Sequence, residues 1–396
     1  MHRAPPKRPV LDWADLRSLR DSPLPSLADL PHQQLTTSGR AAIYHALRLA
    51  APEPGSPVLV PTYHCPTMIA PVVLSGHEPV FYPIDHDGHP LLEAISLTDA
   101  RRARCILAPH YFGITRSFAE LRAWCDATET LLIEDCAHAF YGIAGDRPVG
   151  TWGDYATASL TKFFPILEGG LLASARRPVP SLPLRKQPFK SELKAVFDLA
   201  HISTEHGRLQ ALRPAIEALR KSRKSAAPPP ETPSPKDISP DPASTSPSAA
   251  MQDSDMARIE LSPLASTRWI LKRHPQDTAC ARRQVLFTRY AAALHDLPGA
   301  RPMHAGVPAR MAPYAFPLWV DDAEAVYQAL RLAGVPVYRW DRVWPGTPEL
   351  REDQGPIWRT HVLQLLCHQS LSDEEIAWTL TTIQETLQPD TFHTHV

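Results

Sequence analysis

Lys162 stands inside an apolar stretch, ASLTKFFPILEGG at 158–170. A charged ammonium is costly there, so the lysine must take a partner, lower its pKa or form a covalent bond. In a partly apolar cleft such an amine can lose its proton and attack a carbonyl. Asp135 ends the run LLIED. A carboxylate at a strand end can keep a ring nitrogen protonated, and it can equally bond the next loop. His138 follows three residues later and can donate to a ligand oxygen, cap a turn or sit satisfied in the core. Ser38-Gly39-Arg40 opens a helical pattern. Free N–H groups and the positive dipole end suit a phosphate there, while an ordinary serine N-cap accounts for the same residues. Arg40 adds a charge that pairs with the phosphate or faces solvent.

The elements that carry these residues alternate between helix and strand from about 36 to 176. SGRAAIYHALRLA has a helical apolar stripe at Ala42, Ile43, Ala46, Leu47 and Ala50. PVLVPTY reads as strand, and TMIAPVVLSG as helix ending at Gly76 despite Pro71. PVFYPID and ARCILAPHYF read as strands, SFAELRAWCDAT as helix, TLLIEDCAHAF as strand and loop, and GDYATASL as strand. This alternation predicts an α/β large domain, a three-layer arrangement around a mainly parallel sheet. Ligands sit at the carboxyl ends of such strands, so the residues above converge on one cleft. Glu134 points to the opposite side of the strand from Asp135, so the two are not paired as acid and base.

Residues 179–224 read as helical and basic, with Leu209, Leu212, Ile216 and Leu219 on one face. A long amphipathic helix is expected over 268–297. Strands at 314–320 and 335–340 and helices at 323–334 and 372–387 form a smaller C-terminal α/β domain. Ser372 and Glu375 make a capping box for the last helix. The expected divisions are an N-terminal arm (1–35), a large domain (36–180), a helical basic segment (181–224), an insertion (225–256) and a small domain (257–396).

Composition narrows the function classes. The chain has 396 residues, 43% hydrophobic, with net charge -1 and a sequence pI of about 7.0. Nothing overall draws it to nucleic acid or an anionic membrane. Its six cysteines include no CxxC pair, which reads as reduced thiols in a cytoplasmic protein with no metal site. The N-terminus lacks a secretory apolar core, and no run approaches the ~18 apolar residues of a membrane span. Of 43 prolines, eight fall between Pro228 and Pro247. That segment has too little apolar surface to offset the entropy of ordering, so 225–256 is expected to be disordered. DHDGH at 85–89 reads as a polar turn, and His110 as floor of the cleft.

A phosphate cradle, a ring-nitrogen carboxylate and a nucleophilic lysine together meet the needs of pyridoxal phosphate. The ordered motifs SGRAA, VPTYHC, HYFG, IEDCAH, VGTWGD, SLTK and LEGG resemble those of the DegT/DnrJ/EryC1/StrS aminotransferases, a branch of the fold type I pyridoxal-phosphate enzymes. The resemblance covers about 36–176 and extends to VLQLLCHQSLSDEEI near the C-terminus. It implies that Lys162 is the Schiff-base lysine and proton shuttle and that Asp135 pairs with the pyridine nitrogen. It further implies that His138 contacts the phenolic oxygen, and that Ser38, Gly39, Arg40 and Ser159 hold the phosphate. The implied activity is amination of a nucleotide-linked keto-sugar, with glutamate or glutamine as donor, by a cytoplasmic homodimer in polysaccharide or secondary-metabolite biosynthesis.

The departures from the family are specific. Arg40 replaces a threonine, and Leu167 the first glycine of the closing motif. Cys65 falls where an aromatic residue stacks on the pyridine, leaving His64, Tyr63 or no ring at all to stack there. Ser159 and Lys162 are two residues closer than usual. The partner-derived Asn-x-Arg segment has no counterpart near 190–262. These changes keep two alternatives in view: a non-catalytic binding or regulatory protein, and a sugar dehydratase. The dehydratases carry His in place of the lysine, so Lys162 argues against that second alternative.

Overall fold

The computed structural model describes residues 4–16, 24–51, 53–226, 246–306 and 310–388. The proline-rich stretch 227–245 lies outside these. Seven strands make the large sheet: β1 (His32–Thr36), β2 (Pro57–Pro61), β3 (Glu78–Tyr82), β4 (Cys105–Pro109) and β5 (Leu131–Asp135), then β8 (Tyr155–Ser159) and β9 (Gly170–Ser174). A small hairpin, β6 (Ile143–Ala144) and β7 (Arg147–Pro148), lies between the last two groups. The order across the sheet is β1-β9-β8-β5-β4-β2-β3. Strands β8, β5, β4, β2 and β3 run parallel, and β9 is antiparallel to both its neighbours.

Both faces of this sheet are covered, as the fully buried apolar strands β2 and β4 require. Cys105 and Leu107 of β4 join one core with helices α1 (Gly39–Ala50) and α2 (Pro66–Leu74). Ile106 and Ala108 of the same strand face the other way, onto a core that includes Leu121 and Cys125 of α4 (Ala119–Thr128). A short α3 (Leu97–Arg102) precedes β4. Helix, sheet and helix give the expected three layers.

The middle of the chain is helical as expected from residue 189 onward but differs in detail. Residues 189–226 form two helices, α5 (Phe189–Glu205) and α6 (Arg213–Ala226). Gly207 and Leu209 take positive φ values of 73° and 46° and turn the chain between them. The four leucine and isoleucine positions therefore do not share one helical face: Leu209 precedes α6, Ile216 is buried and Leu219 is exposed. The expected disorder over 225–256 is overturned for its described end, where α7 (Pro247–Asp253) forms under a Ser246 cap. Ala250, Met251, Met256 and Ile259 supply the apolar anchors that seat this segment on the α1–α2 core.

The expected single helix over 268–297 is broken into α8 (Ala265–Leu271) and α9 (Gln276–Ala293) by Pro275. Strands β10 (Ala300–Pro302), β11 (Ala315–Val320), β12 (Val337–Arg339) and β13 (Val362–Leu366) form a second, antiparallel sheet in the order β10-β11-β13-β12. Helices α10 (Ala323–Leu332), α11 (Gly355–His361) and α12 (Asp373–Thr386) complete it. The Ser372–Glu375 capping box is present at α12. One core cluster runs from this sheet into the large one, so the two share buried surface. Among the described residues, no helix is long and apolar enough to cross a membrane.

Candidate active site

A cavity of about 530 Å³ opens at the N-terminus of α1 and the carboxyl ends of β4, β5 and β8. Ser38, Gly39, Arg40 and Ser159 line one end. Cys65, Asp135, His138 and Lys162 line the rest, and His110 lies on its floor.

The anion-facing end depends on two close backbone approaches. An added Cβ on Gly39 would lie 3.1 Å from Ser159 Cβ, so this glycine lets α1 start directly against the end of β8. Gly170 begins β9 between Thr36 and Ser159. A Cβ there would collide with the Ser38 carbonyl oxygen and lie 2.6 Å from Thr36 Oγ1. Gly170→Ala is therefore expected to destabilise the fold by on the order of 3 kcal/mol. Denaturant unfolding measures this, and a cost below about 0.5 kcal/mol would show that the junction can relax.

Ser38 is the N-cap of α1, its Oγ accepting from Ala41 N–H at 3.2 Å. The cap and ligand roles are compatible, because the hydroxyl proton remains available to donate. The first N–H groups of α1 have no intrahelical acceptor. Arg40 Nε is buried without a partner, and its Nη2 reaches Asp255 Oδ2 at 3.2 Å. An orphaned guanidinium N–H, a helix N-terminus and two serines make a donor set that fits a phosphate.

At the far end, Asp135 Oδ1 accepts from Ala137 N–H at 2.9 Å, with Thr157 Oγ1 at 3.5 Å. Burial raises its pKa, opposed by the Ala137 N–H and the Lys162 charge. His138 Nδ1 accepts from Phe112 N–H at 3.2 Å. Burial, reinforced by Lys162, holds its pKa well below the usual histidine value. The ring is therefore neutral, and its proton sits on Nε2 as a donor. It stacks on Tyr314 with centroids 4.3 Å apart.

Lys162 ends a three-residue 3-10 turn (Leu160–Lys162) that follows directly on β8. This tight turn absorbs the short Ser159–Lys162 spacing and keeps both side chains on the cavity. Lys162 Nζ lies 4.8 Å from the centre of the Tyr314 ring. Burial lowers its pKa to about 8, although Asp135 and Cys65 favour its charged form.

Arg283 fixes this turn from beneath. It is fully buried, its guanidinium lies over Phe163, and its Nη2 donates to Lys162 O at 2.7 Å. Nη1 donates to Pro313 O and Cys367 O at 3.0 and 3.2 Å, and Nε to Gln369 Oε1 at 3.1 Å. Glu168 is a tether of another kind. Its carboxylate accepts from Leu264 N–H at 2.7 Å, from Gln187 Nε2 and from Arg258.

His64 is not in the cavity, which corrects its expected place as a stacking ring. Its Nδ1 meets Pro61 O and its Nε2 accepts from Trp344 N–H, both at 2.9 Å. Burial lowers its pKa to about 4. Tyr63 is likewise enclosed, among Tyr111, Trp340 and Trp358. The aromatic walls are instead Tyr314, Tyr338 and Trp340. Sequence reasoning missed these because β12 and the turn before β11 reach the site only through tertiary packing. Arg258 and Asp255 were missed because they follow the proline-rich stretch.

Glu134 faces away from the cavity, as the strand alternation requires. Its carboxylate accepts from His110 Nε2 and from the N–H groups of Gly150, Trp152 and Gly153, at 2.7–3.1 Å. His110, Glu134 and Cys136 lie close enough to hold a metal ion. The four hydrogen bonds already occupy both carboxylate oxygens, so the trio reads as a structural knot.

Residues 27–176 match the sequence model of the DegT/DnrJ/EryC1/StrS aminotransferase family. The chain is 29% identical over 146 residues to a GDP-perosamine synthase from Vibrio cholerae, covering 36% of this chain and 40% of that protein. It is 30% identical over 145 residues to lipopolysaccharide biosynthesis protein RfbH from Salmonella typhimurium, covering 34% and 32%. The chain thus spans less than half the length of these curated relatives. Whole-chain likeness appears in solved structures. DesV of S. venezuelae in complex with a ketimine intermediate has TM-score 0.60, 19% identity and coverage of 91% and 86%. Sugar aminotransferase CalS13 from Micromonospora echinospora has TM-score 0.59, 18% identity and coverage of 96% and 99%. The large mainly parallel sheet and the appended small sheet are thus the fold those structures share, and residues 27–176 are similar in sequence to the DegT/DnrJ/EryC1/StrS aminotransferase family.

Proposed function

We propose that the chain is a pyridoxal-phosphate-dependent aminotransferase. Its acceptor is a nucleotide-linked keto-sugar and its donor glutamate or glutamine. The observation that carries this is the convergence of Lys162, Asp135 and His138 in one cavity whose opposite end is a phosphate-fitting donor set. Support for the substrate class comes from the curated relative that is a GDP-perosamine synthase. In this reading the chain works as a cytoplasmic homodimer in polysaccharide or secondary-metabolite biosynthesis, with the large domain ending near residue 180 and the small domain starting near 257.

Ser38, Gly39, Arg40 and Ser159 would hold the phosphate. Asp135 would pair with the ring nitrogen, its charged form keeping that nitrogen protonated. His138 would donate from Nε2 to the ring oxygen. Cys65, Tyr314 and His110 line the same cavity. When bound, pyridoxal phosphate supplies an aldehyde for amine capture and a ring that withdraws electrons. Lys162 Nζ would hold that aldehyde, and as a buried amine of lowered pKa it could also take up or give a proton within the cavity.

The lowered lysine pKa sets a pH dependence. With a value of about 8, roughly a tenth of Lys162 is neutral at pH 7. Cofactor capture should therefore accelerate as pH rises and level off above about 8. A stopped-flow profile rising still from 9 to 10.5 would contradict the burial of this amine. The function itself is tested by incubating the protein with pyridoxal phosphate, glutamate or glutamine and a panel of nucleotide-linked keto-sugars. Formation of an amino-sugar by mass is expected. Cofactor capture without amination of any of them would overturn the substrate class.

A further inference from the structure

We propose that Asp255 is a built-in competitor for the phosphate end of the site, holding Arg40 until a phosphate dianion replaces it, with Arg258 of the same chain as the second cation. This rests on the cofactor reading above.

The segment that carries both residues is seated firmly on the cradle. Thr37 Oγ1 donates to Arg258 O at 2.7 Å, and His45 Nε2 meets Ile259 O at 2.9 Å. Met256 and Ile259 are buried against α1. Asp255 takes a left-handed φ of 46° between the end of α7 and this anchor. Its carboxylate is thereby directed at Arg40, although its side chain is 60% exposed. Arg258 lines the same cavity, held by Glu168 and by Gln187 Oε1 at 2.7 Å.

The three carboxylates on the cavity wall differ in what they can do. Asp135 and Glu168 are each 5% exposed and bonded to backbone N–H groups. Asp255 alone among them has only Arg40 as the partner of its carboxylate within the described residues. An incoming dianion would be repelled by a fixed carboxylate at that guanidinium. Only Asp255 can yield by swinging into water. It stands in for the anion at the cradle, neutralising Arg40, and its displacement weakens phosphate binding. The chain contains no asparagine, so an Asn-x-Arg segment is not there to complete this end, whereas Arg40 and Arg258 both line the cavity.

The test measures dissociation constants of the full chain for pyridoxal phosphate and for pyridoxal, which lacks the phosphate, in wild type, Asp255→Asn, Arg40→Gln and the double variant. Asp255→Asn is expected to tighten pyridoxal phosphate binding by about 2- to 5-fold and to leave pyridoxal unchanged. Arg40→Gln weakens pyridoxal phosphate about 10-fold, and in its background Asp255→Asn gives no further tightening through Arg40. Inorganic phosphate, as competitor, follows the same order. Unchanged or weaker binding in Asp255→Asn, or equal shifts for both aldehydes, would overturn the competitor. A wild-type chain that binds neither aldehyde would instead overturn the cofactor reading, and the competitor with it.

Discussion

Lys162→Ala abolishes borohydride-reducible attachment of pyridoxal phosphate. Lys162 is the only lysine on the cavity wall among the described residues, so no neighbouring amine can substitute for it at the aldehyde. The rate of amino transfer is expected to fall by about 10²–10⁴-fold, the span that a positioned acid–base group supplies. Stability should not fall with it. The ammonium is desolvated in the folded chain, as its pKa of about 8 reflects, and removing it relieves that cost. Mass spectrometry after reduction, with a denaturant curve alongside, checks both statements. An undiminished adduct in a folded variant would remove Lys162 from the chemistry.

The second large effect is structural and concerns Arg283. Replacing it with methionine keeps the volume but leaves the carbonyls of Lys162, Pro313 and Cys367 and the amide oxygen of Gln369 without their shared donor. Buried acceptors stripped of a charged donor cost about 1–3 kcal/mol each where water cannot reach them. Partial relaxation brings the expected loss to about 3–5 kcal/mol. The position of Lys162 should suffer too, because one of these carbonyls is its own. A variant that still folds would therefore capture pyridoxal phosphate more slowly than wild type and with an altered pH midpoint. A stability loss below about 1 kcal/mol, with capture unchanged, would show that Arg283 does not hold the turn.

How far the sequence could be read follows from the range of the forces involved. The large sheet was legible because β2, β4, β5 and β8 are short apolar runs punctuated by amphipathic helices. Asp135, His138 and Lys162 were legible because strand ends in a parallel sheet converge. His64 was misplaced because its neighbour Cys65 lines the cavity, and one step along the chain turned the imidazole inward to Trp344 N–H. Strand β13 escaped notice because a strand buried on both sides carries no period-two signal. The described end of the proline-rich insertion was misread for a related reason. Composition reports the average of a segment, whereas Met251, Met256 and Ile259 act singly, each against a site on α1 or α2 fixed by the tertiary fold. Tyr314 and Trp340 reached the cavity by the same long-range packing.

The most direct measurement is the visible absorbance spectrum of the purified full chain on addition of pyridoxal phosphate, before and after glutamate or glutamine. A near-violet band that forms with wild type, is absent in Lys162→Ala and bleaches with one of the two donors is the expected result. A chain that forms no band at any pH between 7 and 9 would contradict the assignment of this cavity to pyridoxal phosphate.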